Sequence, residues 1–227
     1  MPQPDVIPNQ IFIGLPWKNI RAKYVCAADT LSKSYPLSFV IMGREETQDA
    51  EELLDIIKRN IDSSSYAVFD ATQNNPNVSL EYGYAEARGI RKALYLCSRR
   101  TPGNKEHSII SDLAGKRRNH WTTEKGLTGL MKKLAETHTY TKRFRQFSAA
   151  VSGALSKGAK RRVRILALRI IHRLDGQATA RREDVVQELQ VGVNRYKESE
   201  ITSMIRKLHR AGLIVCGQGR YSDLAIN

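Results

Sequence analysis

The chain predicts an α/β fold: a doubly wound parallel sheet of about five strands, followed by a small helix-rich second domain. Three observations carry this. Short apolar strands alternate with amphipathic helical stretches through about residue 137, the pattern of a parallel sheet covered on both faces. That pattern fades between His138 and Lys160, and a second periodic block then begins. The charge changes as well: residues 1–140 hold 19 Lys+Arg against 16 Asp+Glu, whereas residues 141–227 hold 18 against 7.

Ile11-Phe-Ile-Gly-Leu-Pro16 reads as a buried strand ending in a turn, and Trp17 to about Leu31 as a helix with Ile20, Tyr24, Ala27 and Ala28 at helical spacing. Leu37-Ser-Phe-Val-Ile-Met42 is the second strand. Asp49 to Ile61 is the second helix, with Leu53, Leu54, Ile56, Ile57 and Ile61 apolar. Tyr66-Ala-Val-Phe69 is the third strand, Val78 to Arg88 the third helix, and Ala93-Leu-Tyr-Leu-Cys97 the fourth strand. A polar, basic loop precedes a helix over Thr123 to Thr137. This succession is the flavodoxin-like, doubly wound plan. Residues 140–160 read as a basic connector, helical in part around Phe147 to Leu155. Helices follow at Val163–Leu174, Glu183–Leu189 and Glu198–Ala211, and then a hairpin turns at Gly217-Gln-Gly219. Three helices and a hairpin make a winged helix-turn-helix arrangement over 161–227, leaving residues 1–139 as the catalytic candidate.

In 227 residues the net charge is +14, and its concentration beyond residue 140 points to a polyanion partner, nucleic acid before membrane. Cys26, Cys97 and Cys216 have no metal-ligand or disulfide spacing and read as buried core thiols. The five histidines are scattered, so no metal site is expected. No signal peptide and no membrane-length apolar run is found, so a cytoplasmic protein is expected.

The chemistry concentrates between Asp70 and Gly89. A strand ends in a carboxylate, a polar turn with Pro76 follows, and Glu81 opens a helix rich in small residues (Gly83, Ala85, Ala87). In an open α/β sheet, strand carboxyl ends and helix amino ends flank the binding crevice. Asp70 and Glu81 are therefore expected at the rim of one pocket, with Glu81 held ionised by the helix dipole. A carboxylate in a first helical turn also serves as plain helix stabilisation.

The segment Asn75-Pro-Asn-Val-Ser-Leu-Glu81-Tyr-Gly-Tyr-Ala-Glu-Ala-Arg-Gly89 closely resembles the Glu-Leu-Gly-Tyr-Ala segment of nucleoside 2-deoxyribosyltransferases and related TIR-like N-glycosidase domains. Ile11–Pro16 resembles the opening of the same family. The resemblance implies that Glu81 is the nucleophile or ribose-contacting carboxylate at the anomeric carbon, and that Asp70 contacts sugar or base. It further implies Gly14 and Pro16 as backbone lining, Asn77 as a helix cap or sugar contact, and Tyr84 as a residue that orients Glu81 or packs in the core. Tyr82 stands where the family has leucine. The substrate class implied is NAD, a nucleoside or a (deoxy)nucleotide, with no separate cofactor.

In the second domain, the apolar stripe of Ile201, Met204, Ile205 and Leu208 leaves Arg206, Lys207 and Arg210 outward. Arg195 and Lys197 precede that helix and Arg220 lies near the hairpin tip, positions suited to phosphate and base-edge contacts. The combination resembles effectors of retron-type anti-phage systems, in which a deoxyribosyltransferase-like domain is restrained by a reverse transcriptase and its DNA product. It implies an oligomeric toxin gated by nucleic acid or another defence-system protein, without a membrane partner. Two other readings are a nucleotide-sensing DNA-binding regulator without catalysis and a salvage transferase with an oligomerisation domain.

Overall fold

The first element shows why the sheet forms where it does. β1 (Ile7–Gly14) becomes completely buried over its last five residues, and it lies between β2 (Ser38–Ile41) and β3 (Ser64–Asp70). β4 (Lys92–Cys97) and β5 (Arg118–Trp121) complete a five-stranded sheet of order β2-β1-β3-β4-β5, parallel throughout. This is the flavodoxin-like strand order, whose topological switch point lies between β1 and β3. The computed structural model describes residues 6–16, 20–42, 50–72, 75–98, 118–155, 158–175, 180–191, 195–217 and 223–226.

Successive strand residues face opposite sides of a sheet. Phe12, Ala67, Phe69 and Leu94 pack with Ile61, Val78, Tyr82 and Ala85, which come from α2 (Ala50–Asp62) and α3 (Pro76–Ala87). Ile11 and Ile13, both buried, point to the other face. That face is covered by α1 (Arg21–Ser32) and α4 (Glu124–Thr137), which contact each other. The apolar spacing that predicted α1 is borne out: Tyr24, Ala27, Ala28 and Leu31 are buried. Cys26 lies off that stripe and is exposed, whereas Cys97 and Cys216 are partly buried. The expectation of three buried thiols is thus corrected.

The chain divides into two compact units, residues 1–141 and 142–227. The stretch read as a connector contains the helix α5 (Thr139–Ala154). In the second unit, α6 (Arg161–Asp175), α7 (Arg182–Gln190) and α8 (Glu198–Arg210) surround one apolar core. Three short strands, β6 (Ala180–Arg181), β7 (Ile214–Cys216) and β8 (Asp223–Ile226), form an antiparallel sheet of order β6-β8-β7. The expected turn residues Gln218 and Gly219 lie outside the described residues.

α8 stops at Gly212, whose φ of 68° is the left-handed conformation that glycine adopts without a Cβ penalty. Its N–H bonds the His209 carbonyl, and the Leu213 N–H reaches back to Leu208. Gly212→Ala is expected to destabilise the second unit by about 1 kcal/mol, read as a lower denaturation midpoint with an unchanged slope. Among the described residues, no helix is long and apolar enough to cross a membrane.

Candidate functional site

β1 and β3 end side by side at the switch point, with Gly14 paired in register to Phe69. α3 follows β3 and packs against both strands. Its start is set by Asn75, whose side chain accepts a hydrogen bond from the Asn77 N–H at 2.9 Å, with Pro76 at the first helical position. Asn-Pro is a strong start signal, since Asn caps free amides and Pro donates none. Two expectations change as a result. The cap is Asn75, and Asn77 is an exposed residue of the first turn. Glu81 lies in the second turn, beyond the reach of the end-of-helix dipole.

Burial therefore governs Glu81. Its Oε2 is enclosed and has no hydrogen-bond partner among the described residues. A Cβ built on Gly14 would clash with that oxygen and lie 2.7 Å from the Phe69 ring. One carboxyl oxygen thus lies directly against the glycine at the end of β1. Phe69 stacks edge-on against Tyr82 at 5.6 Å and tilts against Phe12 at 6.0 Å, so the wall behind the carboxyl is aromatic. Desolvation in these surroundings pushes the Glu81 carboxyl up to about 7 from the usual 4.5. The expectation of a carboxylate held ionised by the helix dipole is replaced by one poised near neutrality.

Asp70 is placed differently. Phe69 faces the α2/α3 side, and the next residue faces the other. Its Oδ2 accepts from the Tyr24 hydroxyl at 2.6 Å and from Trp121 Nε1 at 2.9 Å, and its Oδ1 from the Thr72 N–H at 2.8 Å. The residue has no exposed surface. The structure brings Asp70 to α1 and β5, away from the rim position expected for a sugar contact. Thr72 extends the network by accepting from the Cys97 N–H at 2.8 Å. Lys23 Nζ lies 5.6 Å from the centre of the Trp121 ring on the same side.

Tyr84 does not orient Glu81. Its hydroxyl donates to Asp62 Oδ2 at 2.8 Å, and Arg88 Nε donates to Asp62 Oδ1 at 2.8 Å, which ties α3 to α2. Burial, reinforced by that carboxylate, holds the Tyr84 phenol above its ordinary range. Pro16 is buried two residues past β1. Of the expected pocket residues, the structure joins Glu81 to Gly14 and assigns Asp70 and Tyr84 to separate networks. Sequence reasoning missed Tyr24, Phe69 and Trp121 as partners. Tyr24 and Phe69 read only as core residues, and Trp121 lies in a polar stretch.

No protein-family model matches the chain, and no curated protein sequence matches it. Among solved structures it is similar to a 2-desoxiribosyltransferase from Leishmania mexicana, at 14% identity and a TM-score of 0.45. The match covers 58% of this chain and 99% of that one.

In the second unit, the stripe predicted on α8 is buried: Ile201, Met204, Ile205 and Leu208 are each at most 3% exposed. Arg195, Lys197, Arg206, Lys207 and Arg210 are all exposed. Glu200 accepts the Lys197 N–H at 2.8 Å, closing the start of α8, and that hydrogen bond holds its carboxyl below the ordinary range. The Arg162 guanidinium lies 4.7 Å over the Tyr196 ring and donates to the Arg195 carbonyl. Arg220 lies outside the described residues. Among the described residues, no group of His, Cys, Asp or Glu side chains could hold a metal ion.

Proposed function

We propose that the first unit cleaves the N-glycosidic bond of a nucleotide or nucleoside, with Glu81 as the carboxylate that meets the anomeric carbon. The observation that carries the reading is the enclosed Glu81 Oε2 at the carboxyl end of β1, the place where open α/β sheets bind ligands. In low-dielectric surroundings a carboxylate interacts strongly with a developing oxocarbenium ion. The bond from C1′ to the base nitrogen breaks, and its electron pair leaves with the base. Water supplies hydroxide to C1′, directly or after a glycosyl–Glu81 ester; its proton goes to a base that leaves as an anion, or to solvent where the leaving group is the pyridinium of NAD. Asp70 serves here as a positioning residue, anchoring the end of β3 to α1 and β5. NAD, nucleosides and deoxynucleotides are the substrates to assay. Wild type should release free base from one of them, and Glu81→Gln should not. Matching nucleotide profiles in cells expressing either form would defeat the reading.

The second unit, in the same proposal, is a winged helix-turn-helix. α8 is its recognition helix, and β7 with β8 forms the wing. Three helices, a small antiparallel sheet and the exposed Arg206, Lys207 and Arg210 support this. Reversing those three charges is expected to weaken duplex binding by roughly a thousandfold at low salt. The slope of log affinity against log salt should flatten by roughly three, one per lost phosphate contact. Fluorescence anisotropy across a salt series reads both, and an unchanged slope would remove α8 from the interface.

Joined in one chain, these activities describe an anti-phage effector gated by nucleic acid, a reverse transcriptase with its DNA product, or another defence protein. Cellular toxicity that depends on Glu81 and is relieved by the native partner is the expected sign. The alternative is a nucleotide-sensing DNA-binding regulator without catalysis. It is favoured by the complete engagement of Asp70 with protein donors, which leaves the crevice without that second acid. It predicts a ligand-dependent change in operator affinity and no base release.

A further inference from the structure

We propose that Gly14 is a positioning residue: the missing side chain at the end of β1 is the seat that holds the Glu81 carboxyl against the sheet. The inference rests on the reading of Glu81 as the reacting carboxylate. Glycine is unfavourable within a strand, and in that setting it marks a close approach of another group. Gly14 is not in the left-handed region, so its backbone accepts any residue. What requires glycine there is contact alone. A Cβ would overlap Glu81 Oε2 and would also press on the Phe69 ring. Phe69 has no exposed surface and is braced by Phe12 and Tyr82, so the ring can give by only a few tenths of an ångström and the larger displacement falls to the carboxyl. The carboxyl, at the end of a three-carbon side chain, is the group that moves. A methyl group at position 14 therefore expels Glu81 from its seat without touching its identity. Gly83, on α3 itself, does not share this role: a Cβ there would meet nothing within 4 Å.

The experiment is a carbon-13 titration of glutamate-labelled full-length protein, with the Glu81 side-chain carboxyl signal assigned by its loss in Glu81→Gln. In Gly14→Ala the Glu81 midpoint should fall from about 7 toward 4.5, by roughly one unit or more as the carboxyl regains water. Base release should drop about a hundredfold, the usual consequence of an ångström-scale misplacement. An unchanged midpoint would overturn the proposal. Should Gly14→Ala fail to fold, the double variant with Glu81→Ala decides: recovery of folding supports the seat. Failure of both variants overturns it, because the Phe69 contact alone then demands the glycine. A wild type that releases no base ends the N-glycosidase reading, and the titration still tests the seat.

Discussion

Glu81→Gln should melt about 6–12 °C higher than wild type near pH 8 and close to it near pH 4. The sign follows from linkage. Folding raises the Glu81 carboxyl from 4.5 to about 7, so across that window the unfolded chain binds fewer protons than the folded one. The stability contributed by the protonated carboxyl is complete below about 4.5 and is lost as pH rises through about 7, roughly 3 kcal/mol in all. Glutamine has no such titration and keeps a neutral group in the same enclosure. Activity should move the opposite way. Wild-type base release should rise with pH through about 7 as the carboxylate forms; Glu81→Gln should lose on the order of a thousandfold above about pH 7, with the gap narrowing as pH falls and wild type becomes protonated. A melting offset identical at both pH values would show that the carboxyl is hydrated in the folded protein. A more stable but inactive variant is the signature of a group placed for chemistry at a cost to the fold.

Asp70→Ala is expected to destabilise the first unit by about 3–5 kcal/mol, lowering its melting temperature by roughly 10 °C or more. The loss comes from the three donors it strands: the Tyr24 hydroxyl, the Trp121 indole N–H and the Thr72 N–H. Tyr24→Phe removes one of those donors and leaves Asp70 with the other two, so its cost should be nearer 1 kcal/mol. Differential scanning calorimetry of both variants separates the cases. An Asp70→Ala loss no larger than that of Tyr24→Phe would mean the network is not a unit. Because Asp70 does not face the crevice, wild-type and Asp70→Asn proteins that remain folded should share the same pH dependence of base release. An acid that contacts the sugar would instead shift that profile.

Most of the strand-and-helix alternation of the first 137 residues was legible because β1 to β4 each carry a continuous apolar run. β5 escaped, since Arg118-Asn-His-Trp121 is a polar edge strand with Trp121 alone buried in full. A strand paired on one side need not be apolar. The start of α3 was misread by two residues because the apolar rhythm begins at Val78, whereas the backbone begins to turn at the Asn75-Pro76 cap. That shift took Glu81 out of the dipole-stabilised first turn to a half-buried position, where desolvation of the carboxyl raises its proton affinity instead of lowering it. Glu81 and Gly14 were both expected at one site from the sequence, but their contact was not legible. It depends on the β1–β3 register and on a helix packed across both strands, and neither leaves a periodic trace. Asp70 was misplaced for a plain geometric reason: consecutive strand residues face opposite sides, and Phe69 had already taken the α3 side.

The Asp70 network also orders the making of this molecule in time. Its partners lie 46 residues upstream and 51 downstream, so a chain emerging from the ribosome carries the aspartate long before its indole donor is synthesised. Until Trp121 has cleared the exit tunnel, the last strand is missing and a carboxylate destined for the interior lacks one of its three donors. Nascent chains arrested before that point should therefore expose the end of β3 to protease, and those arrested beyond it should not. Long-range pairing of this kind delays folding. The seat of Glu81 against Gly14, at the same end of the sheet, would then be complete only once all five strands have been made.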